Sequence, residues 1–286
     1  MKEVHDLQTD QNLEKEFLEN RMNDIREISK LTGKEKDYLE MYHQPVTLDH
    51  MQSVMNLNEK RGVTFKKIIR YEQDATSSDL KEAEESILKE AQDFLSTMEK
   101  EDVREQSYEK VIAHTKQVLE ETLEHKKLGY TDIKELQSMY KQISVASALS
   151  KEENYEIPVQ IGEEITSINL KIVQGTTNKG EVKITMDTTK FGKVEARFVE
   201  TPDGLEGSVL TDYMDGKEIL EGNAHRLQEA IEEALKETKI ELKQLYFGGS
   251  TKLDINTLDE RQRETQVDVS ILYKVAKEFI YYVKEV

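Results

Sequence analysis

The chain has 286 residues, of which 36% are hydrophobic and 34% are charged, and its formal net charge is −18. This length suits two domains, and the hydrophobic content is enough to form a core beneath heavily solvated surfaces. The excess of acidic residues argues against nucleic acid and anionic lipid as partners, since both are negatively charged.

Cysteine is absent from the sequence, which excludes disulfides and cysteine-based zinc sites. This fits a reducing cytoplasm, and it also fits a chain that is threaded unfolded through an export channel. No apolar run approaches the roughly 20 residues of a membrane span, and the start, MKEVHDLQTDQNLEKE, has no apolar signal region. We therefore expect a cytoplasmic protein without membrane insertion, with export through a secretion channel as the alternative.

Helical periodicity runs through residues 12–148 and predicts an antiparallel array of about five helices with short loops. The first apolar stripe ends at a Thr-Gly pair, residues 32–33, where glycine can take the left-handed cap. Thr47 is placed to cap the start of the next helix. The apolar residues of these helices step by three and four: Leu18, Met22, Ile25 and Ile28; Leu80, Ala83, Ile87, Ala91, Phe94 and Met98; Val111 and Val118; Ile133, Leu136, Tyr140 and Ile143.

The segment SKEENYEIP, residues 150–158, is polar and ends in proline, so we place a linker there. The predicted domains are a helical domain over 1–149 and a second domain over 159–286.

In the second domain the pattern changes to alternating apolar and polar residues, as in SINLKIV, EVKITMD, KVEARFV and GLEGSVLTDY. A helix over 218–236, a strand KIELKQLYF and a last helix headed by Ser270 follow, with a glycine-rich polar stretch over 248–266 between them. The predicted fold class is α+β: an all-helical N-terminal array followed by a small domain whose mostly antiparallel sheet is packed by helices.

The stretch MDTTKFGKVEARF, residues 186–198, predicts two strands joined at a tight corner. Gly192 allows a positive φ at the end of the turn, and Phe191 can fold back over the sheet edge. From these residues alone, the corner is interpreted as a hairpin turn without a functional role.

The order of elements around this corner resembles the C-terminal domain of the bacterial flagellar hook-length control proteins. The resemblance covers about 180–247: TTKFGKVEARF, a DG turn, a strand, the helix ILEGNAHRLQEAIEEAL and the strand IELKQLYF, with FG at 191–192 in place of the family's Leu-Gly. The whole chain is similar to proteins of clostridial bacteria that carry this domain. Two features depart from the family: the glycine that ends its helix is missing here, and so is its long Pro- and Gln-rich N-terminal region, which is interpreted as a molecular ruler.

The sequence shows no nucleotide-binding loop and no zinc-protease motif. Glu121 and His125 share a helix face, but with no third metal ligand, a solvent-exposed ion pair between them is the better interpretation. The serines of SVASALS, residues 144–150, lack a partner base, and the glycine doublet of GGS, residues 248–250, is better explained as a connector than as an anion site. We therefore predict no catalytic, cofactor-binding or metal-binding residue, with a hydrolase site between the domains as an alternative.

The sequence thus predicts a non-enzymatic protein that binds another protein. The resemblance implies flagellar hook-length control or switching of type III export substrates, through contact with a membrane component of the export gate; the alternative is an intracellular scaffold or adaptor that reuses the domain. The predicted partner-binding residues lie at the corner and on the following helix: Phe191, Gly192, Arg226, Leu227 and Ile231. The oligomeric state cannot be inferred from the sequence.

Overall fold

A computed structural model of the protein describes residues 22, 25–26, 29–41, 43–59, 65, 68, 78–125, 130–174, 180–250 and 269–286. Eight helices lie within these ranges. Five of them precede the sheet: α1 (Lys34–Met41), α2 (Leu48–Glu59), α3 (Ser78–Thr97), α4 (Glu101–His125) and α5 (Tyr130–Ser150). The other three are α6 (Met214–Gly222), α7 (Ala224–Leu235) and α8 (Ser270–Glu285).

The strands form one six-stranded sheet in which spatial order follows chain order. They are β1 (Asn154–Ile161), β2 (Glu164–Gln174), β3 (Gly180–Thr188), β4 (Gly192–Thr201), β5 (Gly204–Thr211) and β6 (Leu242–Gly249). The pairs from β1 to β5 are antiparallel, and β5 and β6 are parallel. A parallel pair needs a crossover connection, which α6 and α7 supply. The predicted α+β class and mostly antiparallel sheet are confirmed.

One face of the sheet is apolar because alternate residues of every strand point to it. The register places six such residues in a row across the sheet: Tyr155, Leu170, Ile184, Ala196, Val209 and Phe247. Helix α8 packs on this face, with the ring centroids of Phe279 and Phe198 6.0 Å apart. The opposite face is polar and includes a largely buried ion pair between Lys183 and Glu195, 3.3 Å apart.

The helical half packs against the first strand of the sheet. The ring of Tyr155 in β1 lies 5.2 Å from Phe94 of α3 and 5.1 Å from Tyr108 of α4, between centroids. The hydroxyl of Tyr108 donates to the carbonyl of Glu156 at 2.9 Å and accepts from its N–H at 3.1 Å. A single hydrophobic cluster therefore continues from α3, α4 and α5 into the sheet and α8.

Several predicted boundaries differ from the structure. Residues 154–158, predicted as part of the linker, form the first five residues of β1, and all five are buried. The helix predicted over 218–236 is two helices that meet at Asn223. The doublet Gly248–Gly249, predicted as a connector, ends β6.

The prediction that Gly33 takes a left-handed helix cap is wrong: this glycine has no positive φ and directly precedes α1. Two other predictions about the helices are confirmed. Thr47 caps α2, since its Oγ1 accepts a hydrogen bond from the N–H of His50 at 3.2 Å. Ile87, Phe94 and Met98 are buried on one side of α3, as their spacing predicts. The stripe over 18–28 falls mostly outside the described residues.

Candidate functional site

The corner between β3 and β4 is a rigid feature of the fold. Gly192 has a φ of 69°, as predicted, and Phe191 is fully buried. The N–H of Phe191 donates to Oγ1 of Thr188 at 3.0 Å, and its carbonyl accepts from Oγ1 of Thr211 at 2.5 Å. A Cβ on Gly216 of α6 would lie 2.5 Å from that carbonyl oxygen. The corner is therefore fixed against both β5 and α6.

Three of the predicted partner-binding residues do not lie at the surface. Phe191, Leu227 and Ile231 are fully buried in the hydrophobic core, so their side chains cannot contact a partner in this fold. Gly192 is half-buried, and Arg226 is exposed and pairs with Glu285 at 2.8 Å. The error has a physical cause: the apolar stripe that marked α7 is the stripe that packs beneath it.

Exposed apolar side chains lie instead at the carboxyl ends of β5 and β6. Tyr213 is 44% exposed, Met214 59% and Tyr246 55%. Leu210, which precedes this end of β5, is half-buried. We refer to these four residues, Leu210, Tyr213, Met214 and Tyr246, as the apolar rim.

Two glycines leave room for side chains of the rim. A Cβ on Gly248 would lie 2.7 Å from Cε1 of Tyr246 and 2.9 Å from Cδ2 of Leu210. The tyrosine ring thus lies across Gly248 and beside the leucine. A Cβ on Gly249 would lie 3.5 Å from Sδ of Met214, so the methionine sits at the same end of β6. Because the ring lies along the backbone, Tyr246 presents a broad face at little cost in side-chain entropy.

Acidic groups border the rim. Tyr213 donates its hydroxyl hydrogen bond to Asp215 at 3.0 Å, and this carboxylate raises the pKa of the phenol. Asp212, one residue before Tyr213, accepts the N–H of Lys193 at 2.8 Å. The rim therefore combines apolar area with negative charge at its margin.

Two sequence signals mark the rim. Tyr213 and Met214 are consecutive large residues beyond the end of a strand, so they cannot both point to the buried face. Tyr246 lies on the polar face of β6, alternating with the buried Phe247.

The arrangements that most resemble catalytic groups have structural explanations. Ser86 and Glu90 both approach Nδ1 of His114, at 3.4 and 3.6 Å, whereas a catalytic relay needs the two ring nitrogens to have different partners. The hydroxyls of Ser144 and Ser150 donate to carbonyls of their own helix. Across the described ranges no three His, Cys, Asp or Glu residues are grouped to hold a metal ion.

A buried charged cluster joins the helices to the sheet. Glu153 accepts hydrogen bonds from Arg104 at 3.2 Å, from Tyr155 at 2.9 Å and from Tyr273 of α8. The guanidinium of Arg104 lies 3.6 Å from the centroid of the Tyr273 ring. Burial raises the pKa of both tyrosines, which keeps them protonated as donors. Because the charged and hydroxyl groups of this cluster bind one another, we interpret the cluster as a structural connection between the helices and the sheet and refer to it as the joint.

The predicted pair of Glu121 and His125 is described only in part. Glu121 accepts a hydrogen bond from Gln117 at 2.8 Å, while the side chain of His125 lies outside the described residues.

Among the described helices, none has both the length and the apolar character needed to cross a membrane. No protein-family model, curated protein or solved structure matches the chain.

Proposed function

We propose that the chain is a non-enzymatic protein that binds another protein through the apolar rim. The observation that carries this proposal is the group of exposed large apolar side chains at one end of the sheet, where Tyr246 lies across Gly248 and Met214 lies near Gly249. Exposed apolar patches with polar borders are typical of protein interaction sites.

The residue types of the rim suit an interface. Tyrosine is enriched among the residues that contribute most binding energy, and methionine adapts to partner surfaces of different shape. The acidic border and the net charge of −18 favour a partner whose own apolar patch is surrounded by lysine and arginine, since complementary charge speeds association and selects the partner.

The resemblance to hook-length control proteins supplies a candidate partner. It implies contact with a membrane component of the flagellar type III export gate and a switch in the substrates that the gate exports. We propose this as the role of the chain, with the rim in place of the buried residues that sequence periodicity had selected.

Binding to the purified cytoplasmic domain of that export-gate component, measured by isothermal titration calorimetry, tests the proposal. We expect saturable binding by the full chain and at least about a tenfold loss in the Met214→Ser/Tyr246→Ser double variant, since removing two central contacts costs more than 1.4 kcal/mol. Ile133→Ser is the matched control, because Ile133 is also an exposed apolar residue (38%) but lies on α5, away from the rim.

The outcomes separate the two parts of the proposal. Equal binding by the double variant and the control would contradict a role for the rim. Absence of binding by the wild-type chain would exclude the export gate and leave an adaptor with a different partner.

A further inference from the structure

A groove of about 320 Å³ lies between α3, the outer edge of β1 and the end of α8. Side chains from both faces of β1, Pro158 and Val159, line it, so it runs along the edge of the strand. Its volume is at the lower end of the range for small-molecule sites, about 300–1,000 Å³. Nothing in the proposed function depends on this groove, which involves none of the rim residues.

The floor of the groove is apolar, and one end is cationic. Leu88 and Leu95 of α3 line the groove together with Val159. At the end of α8, Nζ of Lys284 donates to Oε1 of Gln92 at 2.5 Å, and Gln92 is itself fixed by donating to the hydroxyl of Tyr281 at 3.1 Å.

Lys284 differs from the ordinary lysines of this acidic chain. It is half-buried, and no carboxylate of the described residues lies within ion-pair distance of it. Burial lowers the pKa of its ammonium, because the charge is partly desolvated and its described hydrogen-bond partner, Gln92, is neutral. A carboxylate brought to Nζ would compensate the charge through a charge-assisted hydrogen bond.

The edge of β1 adds main-chain groups to the same space. Both main-chain groups of Glu156 bond to Tyr108, so they point away from β2. The register of β1 with β2 is regular to Ile161, so the N–H of Gln160 points the same way by the two-residue period. A ligand in the groove can thus meet an ammonium and a main-chain donor above an apolar floor.

We propose that this groove binds a small amphipathic carboxylate, whose charged group pairs with Lys284 while a short apolar chain packs on Leu88, Leu95 and Val159. Lys89 and Glu85 also line the groove and carry opposite charges, so Lys284 supplies the net charge of the lining. The occupant is a free small molecule, since the volume holds only a few residues of a peptide.

Titration of the full-length, methyl-labelled chain with hexanoate, followed by NMR, tests the proposal. We expect saturable shifts of the Leu88, Leu95 and Val159 methyl signals at millimolar hexanoate. Hexylamine and hexanol carry the same apolar chain without the carboxylate, so they should leave these signals unchanged. Lys284→Met should weaken hexanoate binding by about tenfold or more, the loss expected for one charge-assisted hydrogen bond.

Lys236→Met, at an exposed lysine that directly follows α7, is the matched control and should bind hexanoate like the wild type. Lys284→Met removes a desolvated charge and keeps the apolar stem, so the variant should fold, and its melting temperature checks this. Absence of shifts with hexanoate, equal shifts with hexylamine, or unchanged binding by Lys284→Met would each overturn the proposal.

Discussion

Gly192→Ala should destabilise the protein far more than Gly162→Ala, although both glycines have positive φ, 69° and 61°. An L-residue in this region pays roughly 1–2 kcal/mol of backbone strain at either position. The difference in stability between the two variants comes from the space available to the added Cβ. No atom lies within 4 Å of a Cβ built on Gly162, whereas one on Gly192 lies 2.5 Å from Oδ1 of Asp212 and 2.6 Å from Cβ of Tyr213.

These contacts are far shorter than the ~3.5–4.0 Å at which carbon atoms pack. Tyr213 Cβ is attached to the backbone, and Asp212 is held by the N–H of Lys193, so the corner itself must move. Overpacking of this kind costs about 1–3 kcal/mol, and losing the hydrogen bond adds about 1 kcal/mol. We therefore expect Gly192→Ala to be less stable than Gly162→Ala by about 2–4 kcal/mol.

Thermal and urea unfolding followed by circular dichroism measure this difference. At about 2–4 °C per kcal/mol, the melting temperatures should differ by roughly 4–16 °C. Gly222→Ala provides a third point, since Gly222 is helical, has no positive φ and has open space around it; it should stabilise by about 0.5–1 kcal/mol. Equal losses at positions 162 and 192 would refute the packing argument for the corner.

Three further predictions concern the core and its joint. Phe191→Ala should lower the free energy of unfolding by about 3–5 kcal/mol, measured by urea unfolding. Arg226→Ala should change it by less than about 1 kcal/mol because its ion pair is exposed. A loss below about 1 kcal/mol for Phe191→Ala would contradict the burial of Phe191. Glu153→Gln should cost about 1–3 kcal/mol, since it leaves the buried guanidinium of Arg104 without its counter-charge; a neutral result would contradict the joint between helices and sheet. Burial raises the pKa of Tyr108 far above its ordinary value, so its contribution is complete below about pH 10 and is lost as the pH rises, because only the unfolded state releases the proton. The free energy of unfolding of Tyr108→Phe should therefore fall less steeply above pH 10 than that of the wild type, by up to about 1.4 kcal/mol per pH unit, and identical slopes would contradict this.

Regular elements with strong periodicity were predictable, and elements at edges and breaks were not. The segment SKEENYEIP, residues 150–158, suggested a linker because it is polar and ends in proline. Residues 154–158 of it belong to β1, an edge strand, where Pro158 needs no N–H for the ladder and the polar side chains of Asn154 and Glu156 are buried on the polar face of the sheet. Local composition does not show which strand will lie at an edge, since that depends on pairing over the whole sheet.

The site was harder to predict than the fold for a related reason. Periodicity identifies the face that is buried, so Leu227 and Ile231 stood out for the property that removes them from the surface. The rim residue Tyr246 depends on the glycine two residues later, whose missing side chain makes room for the ring. That relation is visible only once the strand conformation is known.

Photo-cross-linking from the rim tests the central claim most directly. Benzoylphenylalanine in place of Tyr246, in cells that naturally produce this protein, should give one discrete adduct with a partner protein on illumination, because the ring is exposed and held in one orientation. The same amino acid in place of Ile133 should not give that adduct. An adduct common to both positions, or none from position 246, would contradict the claim that the protein acts by binding a partner through the apolar rim.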